Sequence, residues 1–123
     1  MRSVGTAVWL EDEDQMDVVT ALSGSGPAYF FYMMEVMEKA ARELGLDDEQ
    51  ARLLTIETAL GAAKMALMSS HDPEVLRQQV TSPGGTTEQA LKVLVEGKLE
   101  QLMNEAMSAA KQRSIELSKE FGK

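Results

Sequence analysis

The residues best suited to chemistry lie in one turn, Val80–Leu91, which reads VTSPGGTTEQAL. Ser82 precedes Pro83 and is pushed by the pyrrolidine ring into an extended conformation. Gly84 and Gly85 can adopt positive φ, which lets successive backbone N–H groups converge on an anion. Thr86 is a good N-cap, and Thr86-x-x-Gln89 fits a capping box, so the turn runs into a helix N-terminus. Free N–H groups and the helix dipole at such an end favour negative charge. With the Ser82 and Thr87 hydroxyls at hand, the stretch suits a small carboxylate. Two features oppose that reading. Glu88 falls in the first helical turn, where it repels an anion unless its side chain points away, and a capping box would consume the Thr86 hydroxyl. The residues alone leave ligand binding and ordinary capping both open.

Other chemical groupings are weaker. SGSGPAY (Ser23–Tyr29) lacks the third glycine of a dinucleotide loop and follows no strand directly. It reads as a tight helix–helix link or as a place of close backbone approach by a ligand. His71, in SSHDP, is a lone loop histidine and reads as inert. With no cysteine and one histidine, thiolate chemistry and a His-based metal site are excluded, and no calcium-loop pattern appears, so no metal is expected. The nine methionines fall mostly at helix-core spacing and read as adaptable packing.

The elements that position these residues are almost all helical. The 123 residues suffice for one domain, and 44% hydrophobic with 26% charged residues is a globular composition. A net charge of −8 argues against nucleic acid, whose binding needs clustered Lys and Arg. The longest apolar run, AYFFYMM, is too short for a bilayer, and the first ten residues lack a signal-peptide pattern. The expectation is a cytoplasmic protein without a membrane partner.

Val4–Leu10 reads as a single strand, followed by an acidic stretch taken as a solvated linker. Helices follow over Gln15–Leu22, Pro27–Leu44 with Gly45 as a left-handed cap, and Asp47 or Asp48 to Ser70. A short helix opened by Asp72-Pro73 runs to Val80, then come Glu88–Glu96 and Lys98–Glu120 after Gly97. The third helix is apolar around most of its circumference, which calls for burial on all sides. So short a chain cannot supply that cover, and a second copy is expected to provide it. A lone strand with no later partner looks like the tail of a sheet from elsewhere.

DVVTALSGSGPAY (Asp17–Tyr29), GAAKM (Gly61–Met65) and VTSPGGTTEQAL, in this order and spacing, closely resemble the C-terminal domain of pyrroline-5-carboxylate reductase. The resemblance covers nearly the whole chain. It implies an all-α helical bundle that interlocks with a second copy as a homodimer, preceded by one residual strand from a Rossmann domain that is missing here. Residues 1–14 are then residual strand and linker, and residues 15–123 the helical dimerisation and substrate-binding domain. The family's dimers often assemble further into rings. Its reaction passes hydride from NAD(P)H to the imine carbon of 1-pyrroline-5-carboxylate, giving L-proline.

Carried over by motif, Ser82 and the N–H groups around Gly84, Gly85 and Thr86 hold the substrate carboxylate, and Thr87 hydrogen-bonds the ring nitrogen. The same resemblance places Thr20, Ser25 and Gly26 toward the nicotinamide. Because no G-x-G-x-x-G unit precedes residue 1, the chain is expected to dimerise but to bind no cofactor and not to turn over alone. Two other readings compete. One is a non-catalytic helical assembly module, in which SPGGTT is only a turn. The other is the helical domain of a related two-domain dehydrogenase, which a catalytic Lys64 would favour; in the context GAAKM, Lys64 reads as structural.

Overall fold

The computed structural model describes residues 13–122. Among them lie six α-helices and no strand: α1 (Glu13–Val19), α2 (Gly26–Glu43), α3 (Asp48–Met68), α4 (Pro73–Gln79), α5 (Thr86–Glu96) and α6 (Leu99–Glu120). The strand expected over Val4–Leu10 falls outside the described residues. The chain divides into two compact units, one formed by the residues up to Phe30 together with those from Lys98 onward, the other by Phe31–Gly97.

In the first unit α1 packs along α6. Asp14 pairs with Lys111 at 3.0 Å, and one turn further along both helices Ser114 Oγ donates to Asp17 Oδ1 at 2.6 Å. The helix expected to run on to Leu22 instead widens into a π-helical segment, Thr20–Gly24. Its closing bond runs five residues back, from Ser25 N–H to the Thr20 carbonyl, at 2.8 Å. Two side chains account for the change. Thr20 Oγ1 donates to the Met16 carbonyl at 3.1 Å, a back-bond that loosens a helix. Tyr29 Oη then donates to the carbonyl of buried Ala21 at 2.6 Å.

In the second unit α2 ends in a Schellman motif. Gly45, at φ 123°, donates to the Arg42 carbonyl at 3.0 Å, and Leu46 N–H reaches the Ala41 carbonyl at 3.1 Å. Asp47 then caps α3 with a reciprocal capping box: Gln50 N–H donates to Asp47 Oδ1 at 2.7 Å, and Asp47 N–H to Gln50 Oε1 at 3.2 Å. Only Ala51 and Thr55 of α3 are buried, whereas Leu53, Leu60 and Leu67, seven residues apart, are 53%, 59% and 69% exposed. An apolar stripe of that extent in water is the signature of an unpaired interface rather than of a solvated helix. Pro73 opens α4 in its first turn, where its missing N–H has no intrahelical role.

Candidate functional site

The segment between α4 and α5 is built by three successive local devices. Thr81 closes α4, its N–H donating to the Gln78 carbonyl at 3.1 Å and its hydroxyl to the Arg77 carbonyl at 2.5 Å. Ser82–Gly85 then form a reverse turn, closed by Gly85 N–H donating to the Ser82 carbonyl at 3.1 Å. Pro83 at its second position and Gly84 with φ 75° at its third give the type II pattern, which demands a glycine there. Finally Gly85, extended at φ −89° and ψ −177°, serves as the N-cap of α5.

This differs from the sequence expectation in two respects. Only Gly84 takes a positive φ; Gly85 is needed for space, because a Cβ on it would lie 2.7 Å from Ser82 Oγ. Thr86 is the first residue of α5 and not its cap, and the expected capping box with Gln89 does not form. The reverse turn explains both. It places Gly85 where the first intrahelical bond begins, with Gln89 N–H donating to the Gly85 carbonyl at 3.3 Å.

The donors left over are grouped. The N–H groups of Thr86, Thr87 and Glu88 precede that first intrahelical bond and have no helical acceptor. The hydroxyls of Ser82, Thr86 and Thr87 are exposed and make no hydrogen bond within the described residues. A helix N-terminus flanked by free hydroxyls can hold a small anion. Glu88, whose position in the first turn argued against an anion, folds back so that its Oε1 accepts from Gly84 N–H at 2.8 Å. That reach was missed in the sequence, although the four-residue spacing from Gly84 was its signal.

Thr20, Ser25 and Gly26 belong to the first unit, and the SPGGTT loop to the second. Thr20 and Ser25 line a pocket of about 420 Å³ with Arg113, Ser114, Leu117 and Phe121. Gly26, buried at the start of α2, does not line it. Arg113 is held by Glu116 at 3.1 Å and Glu120 at 3.3 Å, so the pocket offers hydroxyls but little net positive charge. It can hydrogen-bond an amide; it does not suit a pyrophosphate. Lys64 is exposed on α3. No cluster of three or more His, Asp or Glu suited to a metal occurs among the described residues, and no helix among them is long and apolar enough to cross a membrane.

The family described as pyrroline-5-carboxylate reductase dimerisation matches residues 13–117. A pyrroline-5-carboxylate reductase of Pseudomonas aeruginosa is 53% identical over 122 residues, 99% of this chain and 45% of that relative. Pyrroline-5-carboxylate reductase 2 of Bacillus subtilis is 42% identical, over 98% of this chain and 43% of its own length. Among solved structures, the reductase of Coxiella burnetii aligns with a TM-score of 0.89 at 54% identity, covering 93% of this chain and 42% of that one. The Plasmodium falciparum enzyme with NADP bound aligns at 0.81 and 32% identity, covering 85% and 40%. The chain thus spans somewhat under half the length of these relatives.

Proposed function

Because this chain belongs to the pyrroline-5-carboxylate reductase family, we propose that it provides the dimer interface and substrate loop of an enzyme reducing 1-pyrroline-5-carboxylate to L-proline. The observation that carries this reading is the Ser82–Thr87 loop, where a type II turn delivers a set of unused donors to the α5 N-terminus. The substrate carboxylate sits at the loop, held by Ser82 Oγ and the N–H groups around Gly84, Gly85 and Thr86. Of these, the Thr86 N–H is uncommitted, while Gly85 N–H closes the reverse turn. Thr87 Oγ1 hydrogen-bonds the ring nitrogen and fixes the orientation of the imine carbon.

NAD(P)H, when bound, supplies the hydride that this carbon accepts. The chain's own residues fit only the nicotinamide end of that cofactor, through the Thr20 and Ser25 hydroxyls beside Gly26; a phosphate cradle is absent among the described residues. In this reading a separate dinucleotide-binding domain holds the rest of the cofactor, and residues 15–123 form the helical half. None of the loop hydroxyls is a strong acid, so the nitrogen's proton comes from water or arrives on an already protonated imine.

The exposed Leu53–Leu60–Leu67 stripe of α3 supports a homodimer in which each copy covers the other. The further assembly of dimers into a ring, and a cytoplasmic location, rest on the family resemblance alone. In the enzyme carrying its cofactor domain, Thr87→Ala is expected to lower turnover at least about tenfold, equivalent to ~1.4 kcal/mol of barrier. Unchanged steady-state kinetics would remove Thr87 from the mechanism. Titration of the chain with millimolar L-proline should shift the amide resonances of Ser82–Thr87, and silence there would show that the loop is not preformed.

A further inference from the structure

Glu88 does more than avoid the anion position. Its Oε1 accepts from Gly84 N–H at 2.8 Å, so a carboxylate oxygen of the chain itself already occupies one of the loop's donors. We propose that Glu88 is an internal stand-in for the substrate carboxylate, closing the loop when it is empty and swinging aside when substrate binds. This rests on the reading of the loop as the substrate-carboxylate site.

A second resting place for Glu88 is built into the same unit. Arg77, Thr81, Glu88, Leu91 and Lys92 line one groove between α4 and α5, with a second carboxylate, Glu96, at the groove as well. Neither Arg77 nor Lys92 makes an ion pair among the described residues, so both cations are available. Lys92 lies four residues after Glu88 on α5, the spacing and order in which a glutamate and a lysine attract on a helix. A rotation of the Glu88 side chain therefore exchanges Gly84 N–H for an ammonium or guanidinium group.

Two consequences follow for the ligand. An entering monocarboxylate replaces one charge-assisted hydrogen bond by another of the same kind, so Gly84 N–H is never left without an acceptor. A neutral ring compound gains no such exchange and leaves Glu88 in place. The device therefore weakens the affinity for every carboxylate ligand, which must displace Glu88, while a ligand that leaves Glu88 in place is unaffected.

The test is steady-state kinetics with 1-pyrroline-5-carboxylate in the enzyme joined to its cofactor domain, comparing wild type with Glu88→Ala, Glu88→Gln and Ser82→Ala. Glu88→Ala frees Gly84 N–H and should lower KM at least about threefold, because the competing state is removed. Glu88→Gln keeps a neutral oxygen over that N–H and should fall between Ala and wild type. Equal KM values for Ala and Gln would mean that Glu88 acts through charge alone and would overturn the proposal, as would an unchanged or raised KM in Glu88→Ala. Ser82→Ala separates this outcome from failure of the underlying reading. If it raises KM while Glu88→Ala does not lower it, the substrate loop stands and the stand-in role falls. If Ser82→Ala and Glu88→Ala both leave KM unchanged, the loop does not hold the carboxylate and both fall together.

Discussion

A methyl group on Gly85 would lie 2.7 Å from Ser82 Oγ and 3.2 Å from the Ser82 carbonyl oxygen. The glycine is therefore what allows the Ser82 hydroxyl to sit over the α5 N-terminus. Gly85→Ala should rotate Ser82 Oγ away and displace the Ser82 carbonyl by a few tenths of an ångström, without φ strain, since φ −89° suits alanine. The expected result is a KM for 1-pyrroline-5-carboxylate raised about three- to tenfold, with stability changed by less than about 1 kcal/mol. Gly84→Ala should do the reverse. Nothing lies within 4 Å of its missing Cβ, but φ 75° strains any other residue, so melting should reveal a loss of about 1 kcal/mol.

The Tyr29 hydroxyl holds the widened segment after α1. Its bond to the Ala21 carbonyl spans eight residues, and Ala21 is only 1% exposed, so little water can replace the phenol. Tyr29→Phe keeps the ring and removes the donor, which should destabilise the protein by about 1–2 kcal/mol. Chemical denaturation at constant m-value would measure it. A loss below a few tenths of a kcal/mol would mean that the carbonyl finds another donor.

What could be read from the sequence was what is decided within one turn of chain. Gly45 as a left-handed cap and an aspartate at 47 or 48 as an N-cap rest on residues five or fewer apart; the glycine cap is realised, and of the two aspartates Asp47 is the cap. The failures needed a partner farther off or a choice between rival local signals. The π-helical widening depends on a hydrogen bond from the Tyr29 hydroxyl in the next helix to the Ala21 carbonyl, which apolar periodicity does not register. At Thr86 the capping-box pattern was genuine, but the Pro83-Gly84 turn moved the helix start one residue earlier and made Gly85 the cap. The hydroxyl pattern of the loop was legible by type, whereas the Glu88 side chain's reach was not, since repulsion and backbone hydrogen bonding fit the same residue. The apolar circumference of α3 pointed to a missing partner because no single helix of this length can stay exposed on such a face.

The junction between α5 and α6 assigns its two residues unexpected roles. Gly97 sits at φ −79°, and it is Lys98 that takes the left-handed φ of 62°. Glycine is favoured at 97 because a Cβ there would lie 3.2 Å from the Val93 carbonyl oxygen. Lys98 consequently carries conformational strain that glycine would relieve. Lys98→Gly should stabilise the protein by about 0.5 kcal/mol, the relieved strain being partly offset by the freer unfolded chain. Thermal unfolding of the two proteins at equal concentration checks the sign.

Leu60 stands at the middle of the exposed α3 stripe, with Leu53 and Leu67 one heptad to either side. In a two-fold dimer each copy presents the same stripe, so a substitution at Leu60 is felt twice. Replacing it by aspartate removes two buried leucines, about 1.5–3 kcal/mol each, and adds a charge that the interface does not pair. The dimer dissociation constant should rise at least about a hundredfold, which moves a micromolar sample from dimer toward monomer in sedimentation velocity. Leu94→Asp, on α5 and outside the stripe, controls for a general effect of added charge and should leave the sedimentation coefficient unchanged. If Leu60→Asp stays dimeric at the same concentration, α3 is not the principal contact, and the partner must cover another apolar face.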